Sequence, residues 1–284
     1  MQNVSPGTMP AAPGVFGAAI QGRRSEQQDS LRSVWLSEEQ GWLLIVADGM
    51  GGHAAGAVAS RIAVDAFVPA FTAKRADGAS LEAALQSALD EANSRIAQGQ
   101  KDAPETAGMG TTLVAAHVSS DGLAWISVGD SPLWLIRRGR IARLNEDHSF
   151  RLAAARGAKA IANMLESVLN GEPIPLIDCH AEPVPLGQGD VVILASDGLL
   201  TLSEVEIAAA VRDAGGGPEP IVRALLKAVE AHAKPNQDNC TVVAASAVSV
   251  GAMEAAPSRS WRTAAAVALA ALVLVMAYLI WQRP

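Results

Sequence analysis

The sequence predicts an α+β domain, with helices packed outside two antiparallel sheets, followed by one membrane-crossing helix. Three observations predict it. Strand-like runs come in blocks separated by tight-turn dipeptides, not one by one between helices. Ala-rich helical patterns come in pairs, near 55–71 with 79–98 and near 203–213 with 218–232. Residues 264–281 form an apolar run without a single charge, set apart by a linker.

In chain order, residues 1–13 read as a disordered lead, and the domain proper runs over 14–248. Trp42–Val46 is a short apolar run that breaks at Asp48-Gly49, the signature of a buried strand delivering a loop. Ser80 stands where the second helix needs an N-cap. Thr111–Val118, Leu123–Val128, Leu133–Arg137 and Ile141–Leu144 are strand-like, with Asp121-Gly122 and Arg138-Gly139 as turns between successive pairs. The stretch 149–182 is looser, with several prolines and a short helix candidate. Val191–Ala195 is another buried strand, ending at Ser196-Asp197-Gly198, and Cys240–Val248 is the last.

Residues 249–263 read as a linker to the span at 264–281. At about 1.5 Å per residue that span covers roughly 27 Å, close to the ~30 Å hydrocarbon core of a bilayer. Trp261, Tyr278 and Trp281 lie at its ends, where amphipathic rings favour the interface. Arg259 and Arg262 flank the domain side against Arg283 beyond, a positive-inside bias. Residues 1–14 carry no apolar run, so no secretory signal is expected. The expected location is the inner (cytoplasmic) membrane, single-pass, with the domain in the cytoplasm.

Composition narrows the function. With 22 Lys+Arg against 29 Asp+Glu the formal charge is −7, the wrong sign for a nucleic-acid binder. The two cysteines, Cys179 and Cys240, are far apart and lack metal-ligand spacing, as expected of reduced thiols in a cytosolic domain.

Five aspartates share a local habit, each at the end of a strand-like run or beside a small residue. They are Asp29, Asp48, Asp130, Asp197 and Asp238. Strand ends can converge on one edge of a sheet, where carboxylates repel and lose solvation unless cations bind. Hard divalent ions such as Mg²⁺ and Mn²⁺ prefer such oxygen ligands. The glycines after Asp48 and Asp197 let backbone approach closely, so that a carbonyl can also ligate.

The flanks of these aspartates form a series of segments. They are Gly22-Arg23-Arg24 to Asp29, Asp48-Gly49-Met50-Gly51-Gly52, Gly110-Thr111-Thr112, Val128-Gly129-Asp130-Ser131, Asp147-His148-Ser149, Ser196-Asp197-Gly198-Leu199 and Asp238-Asn239-Cys240-Thr241. In that order and spacing the chain resembles the metal-dependent protein phosphatases, the type 2C serine/threonine enzymes, in their bacterial branch. The resemblance covers about residues 14–248. It implies a four-layer α-β-β-α sandwich of two antiparallel sheets with flanking helices, and metals at one end. It implies hydrolysis of phosphoserine and phosphothreonine by a water bridging two Mg²⁺ or Mn²⁺ ions, without a covalent intermediate. Asp48, Asp197 and Asp238 would carry the catalytic metals, Asp48 bridging them and the Gly49 carbonyl adding a ligand. Asp29 would act through metal-bound water, and Asp130 with Asp197 would hold a third ion. Arg24 would grip the substrate phosphate.

The chain departs from the family pattern at three places. Gln28 stands where Asn or Glu is common, and Pro132 where Arg is common. Met50 replaces a histidine proposed as general acid in eukaryotic members, leaving His53 and His148 nearby, both read as structural. Thr111 and Thr112 read as core-strand residues. The expected partners are phosphorylated proteins, a cognate Ser/Thr kinase and the membrane, with no nucleic acid. The alternative is a catalytically weak pseudophosphatase, a membrane-bound phosphoprotein-binding module.

Overall fold

The structure, a computed structural model, describes residues 14–52, 54–149 and 165–246. The predicted lead 1–13, His53, part of the loose stretch, the linker 249–263 and the span 264–281 lie outside the described residues.

Two antiparallel sheets carry the fold. The first has the order β1 (Val15–Ile20), β11 (Cys240–Ser246), β10 (Val191–Ala195), β7 (Leu133–Arg137), β8 (Arg140–Arg143). The second has the order β2 (Asp29–Ser37), β3 (Gly41–Met50), β5 (Leu113–Ser119), β6 (Gly122–Val128), β9 (Asp178–Val184), and β4 (Gly110–Thr111) pairs with the end of β3. Helices α1 (Ala55–Ala76) and α2 (Leu81–Asp102) cover the second sheet, and α3 (Glu204–Ala214) and α4 (Pro218–Ala231) cover the first.

Strand periodicity explains the layering. In β3, Leu43, Ile45 and Ala47 pack under α1 and α2, while Trp42, Leu44 and Val46 face the other sheet. Strands buried on both faces read as continuous apolar runs, which is how Trp42–Val46 appears in the sequence. A third apolar layer under α3 and α4 holds Phe16, Ile193, Val242 and Ala244. Three apolar layers therefore separate four layers of secondary structure, the predicted α-β-β-α order. Helix α1 is the one described helix long and apolar enough to cross a membrane, but its buried Ala59, Ala63, Phe67 and Phe71 face the sheet and α2.

The caps follow the sequence. Ser80 Oγ accepts from Ala83 N–H at 3.2 Å to start α2, and Ser203 with Glu206 forms a capping box for α3. Three strands carried no clear signal. Strand β1 is short and contains Gly17 and two alanines; β2 mixes Leu31, Val34, Trp35 and Leu36 without strict alternation. Strand β9 contains Pro183, which an edge strand tolerates, and its register against β6 shifts between Leu123 and Trp125.

Candidate active site

Antiparallel pairing brings the starts of β2 and β11 to the same end of the sandwich as the ends of β3, β6 and β10. All five aspartates lie there. Asp29 opens β2 and stands directly across from Asp48 near the end of β3. Asp130 lies just past β6, Asp197 just past β10, and Asp238 just before β11. Like charges opposite each other in a ladder are destabilising, so the Asp29–Asp48 register is one the sheet holds at a cost.

The electrostatics register that cost. Burial first, then the charges of Asp29, Asp197, Asp130 and Asp238, push the Asp48 carboxyl well above the usual carboxylate range. Burial likewise raises Asp29 to about 6, with Asp238 adding to the rise, while hydroxyls from Thr241 and Ser196 oppose it. Those hydroxyls donate to Asp29 Oδ2, each at 2.7 Å. Asp29 Oδ1 is shut away from solvent and meets no donor. A buried carboxylate oxygen with no donor, facing other carboxylates, is a demand for a cation.

Backbone groups press equally close. A Cβ on Gly49 would sit 2.1 Å from the Gly56 carbonyl oxygen, and one on Gly198 would sit 1.9 Å from that of Asn239. Only glycine fits either position. Thr112 Oγ1 accepts from Asp48 N–H at 3.1 Å and pairs with Ser131 Oγ at 2.7 Å, while Thr111 Oγ1 donates to Asp48 O at 2.9 Å. Thr111 and Thr112 are buried, as expected of core-strand residues, yet they also fix the backbone of the central aspartate.

At the rim, Arg24 Nη2 donates to Asp238 Oδ2 at 2.6 Å. The Asp238 carboxylate holds the Arg24 guanidinium above its ordinary pKa, and Asp197 and Asp48 add to the effect. Arg24 therefore stands at the mouth of the cluster but is engaged with a carboxylate the sequence reading assigned to metal. His148 is buried and its Nδ1 accepts from Gly129 N–H at 3.2 Å. Burial lowers its pKa, so it is a neutral structural histidine. Arg143 donates to Asp130 O at 2.8 Å and pairs with Asp147 at 2.9 Å, bracing the loop after β6.

Among the described residues, no three His, Cys, Asp or Glu side chains are arranged as a ready coordination shell. The donor chemistry fits hard divalent ions nonetheless: oxygen ligands, mutual repulsion, an orphaned buried Oδ1 and a backbone packed without side chains at Gly49. Sequence reading missed the support from Ser196, Thr241 and Asn239. Asn239 accepts from Gln28 N–H at 2.9 Å and donates to the carbonyls of Gln21 at 2.8 Å and Glu26 at 2.9 Å. The motif containing Asn239 was visible, but nothing local marked its partners.

The chain is similar to known proteins in both sequence and fold. Residues 16–230 match the family model described as protein phosphatase 2C. The chain is 32% identical over 192 residues to the serine/threonine phosphatase stp of Listeria monocytogenes, covering 64% of this chain and 75% of that one. It is similar to the catalytic domain of the serine/threonine protein phosphatase PstP, solved with two manganese ions, at 29% identity and TM-score 0.68, covering 82% of this chain and 96% of that one. It is also similar to the phosphatase MsPP of Mycobacterium smegmatis, solved with cacodylate, at 28% identity and TM-score 0.67, covering 82% and 97%.

Proposed function

We propose, from the premise that this chain belongs to the protein phosphatase 2C family, that it is a serine/threonine protein phosphatase working with two or three Mg²⁺ or Mn²⁺ ions. The observation that carries the proposal is the gathering of five aspartates and Arg24 at one end of the sandwich.

Asp48, Asp197 and Asp238 would hold the catalytic ions, with the Gly49 carbonyl and, through water, Asp29. Asp130 with Asp197 would hold a third. Such ions, when bound, supply a deprotonated attacking water and draw charge from the phosphoryl oxygens. The chain's own groups do the rest. Thr111 and Thr112 keep Asp48 in place, and Ser196 and Thr241 leave Asp29 one oxygen to offer. Arg24 has five donors and spends one on Asp238. It would exchange Asp238 for a substrate phosphate, which accepts bidentate bonds. His148 Nδ1 is committed to Gly129 N–H, which fits a structural role, and the leaving alkoxide would take its proton from water.

The substrates are phosphorylated proteins, and a Ser/Thr kinase is the counterpart that makes them. Residues 264–281 would hold the enzyme in the inner (cytoplasmic) membrane with the catalytic domain in the cytoplasm. The support is their uncharged composition and the flanking Arg259 and Arg262. A tether of that kind raises the effective concentration of membrane-bound substrates.

The test of activity compares full-length protein on a phosphothreonine peptide, an aryl phosphate and a phosphate diester, with Mn²⁺. Hydrolysis of the peptide without diester cleavage is expected; diester cleavage alone would reject the reading. Membrane attachment is tested separately. Resistance to carbonate extraction, with the domain protected from external protease, is expected, and extraction into the supernatant rejects the span.

A further inference from the structure

The segment Gln21–Gln28 links β1 of the first sheet to β2 of the second. It crosses between sheets, so no ladder of its own satisfies its backbone, yet it carries Arg24 and delivers Asp29. Groups of that kind must find partners elsewhere. Two main-chain bonds help, from Arg23 N–H to Gln237 O at 2.8 Å and from Gly49 N–H to Gln28 O at 3.2 Å, and Gln21 Nε2 closes the loop on itself through Arg24 O at 2.8 Å. Three further backbone groups of this segment meet a single side chain, that of Asn239, which is 4% exposed.

The three bonds require an amide. Asn239 Oδ1 takes the N–H of Gln28, and both Nδ2 hydrogens go to carbonyls, those of Gln21 and Glu26. A carboxylate of the same shape would face two carbonyl oxygens with nothing to donate. An alanine would leave one half-buried donor and two half-buried acceptors without this partner, each at a penalty. The two carbonyls flank Arg24 on either side in sequence, and Asn239 is itself adjacent to Asp238, the partner of Arg24.

We propose that Asn239 is a positioning residue: a buried amide clamp that fixes the 21–28 loop and thereby sets where Arg24 meets the substrate phosphate. The inference rests on the phosphatase reading for the role of Arg24, but not for the clamp itself. Asn239 touches no substrate; it acts through the loop.

The experiment uses full-length wild type, Asn239→Ala, Asn239→Asp, Arg24→Ala and the Asn239→Ala/Arg24→Ala double variant, all with saturating Mn²⁺. Amide hydrogen exchange over 22–28 is expected to quicken at least tenfold in both Asn239 variants, with the strands unchanged. On a phosphothreonine peptide, each Asn239 variant is expected to raise KM about tenfold with kcat within threefold of wild type. In the Arg24→Ala background, Asn239→Ala is expected to cost no more than a further twofold, because the group it positions is gone. Unchanged exchange in the loop overturns the clamp, whatever the kinetics. Quickened exchange with equal losses in both backgrounds, or with losses in kcat alone, overturns the link to Arg24. Quickened exchange with no kinetic effect in Arg24→Ala itself leaves the clamp standing and rejects the phosphate role of Arg24. Asn239→Asp keeps the side-chain volume, so a folded variant remains if the alanine fails to fold.

Discussion

The floor and the rim of the carboxylate cluster are built on opposite principles. On the floor, Asp29 and Asp48 face each other across two paired strands, and burial drives both carboxyls toward the protonated form, with the charge of Asp238 adding to the rise at Asp29 and the charges of Asp29, Asp197, Asp130 and Asp238 adding to it at Asp48. At the rim, Asp238 is more open and already neutralised by Arg24. The floor is fixed by sheet register and cannot relax, so it demands an external cation. The rim is fixed by an ion pair between two partly exposed side chains, a type of contact worth about 0–1 kcal/mol, so it can exchange partners readily. A rigid, under-satisfied floor beneath an exchangeable rim is the arrangement a metal-dependent hydrolase needs.

The largest effect is expected at the carboxylates proposed to hold the metal ions. Asp48→Ala or Asp197→Ala should lower turnover of a phosphothreonine peptide more than 100-fold, about 2.7 kcal/mol on the barrier, with the far-ultraviolet circular dichroism unchanged. Turnover within tenfold of wild type in either variant would remove the distinction between floor and rim. Next comes the rim: Arg24→Ala should raise KM about tenfold while kcat changes less, since phosphate is bound in both ground and transition states. An unchanged KM would leave Arg24 as a surface partner of Asp238 only.

Stability sharpens the same contrast. Asp29 releases its proton near 6 in the folded protein, against an ordinary value of 3.8. The metal-free folded state therefore holds a proton the unfolded chain has lost, and the stability this confers is complete below about pH 4. It is lost as pH rises through about 6, and Asp48, raised in the same direction, extends the loss upward. The midpoint of thermal unfolding in chelator should fall across that window, and Asp48→Asn should recover about 2–4 °C near neutral pH. A midpoint that rises with pH, or falls on Asp48→Asn, would show that the floor carries no such strain. The smallest effect is expected from Thr241→Val, which removes one hydroxyl from Asp29 and should change Mn²⁺ affinity about threefold by calorimetry, with Asp238 untouched.

The aspartates themselves were legible because their cause is local: a buried strand ends, a small residue follows, and a carboxylate stands between. Their convergence was legible too, since antiparallel strands return to the same end. What supports them was not. Asn239 lies 218 residues from Gln21 and 211 from Gln28, and the Thr241 hydroxyl lies 212 residues from Asp29, so only the folded register brings each pair together. The pairing of Arg24 with Asp238 was hidden for the same reason, across 214 residues. Strands β2 and β9 escaped because edge strands need not alternate, and Pro183 in β9 argues against a strand unless its edge position is known.

The most direct test of the central claim is the rate of inorganic phosphate release from a phosphothreonine peptide as Mn²⁺ is titrated into chelator-treated full-length protein. The account predicts a rate at background before addition and a saturable rise of at least 100-fold. Full activity in the chelated protein, or no rise at any Mn²⁺ concentration, would contradict it.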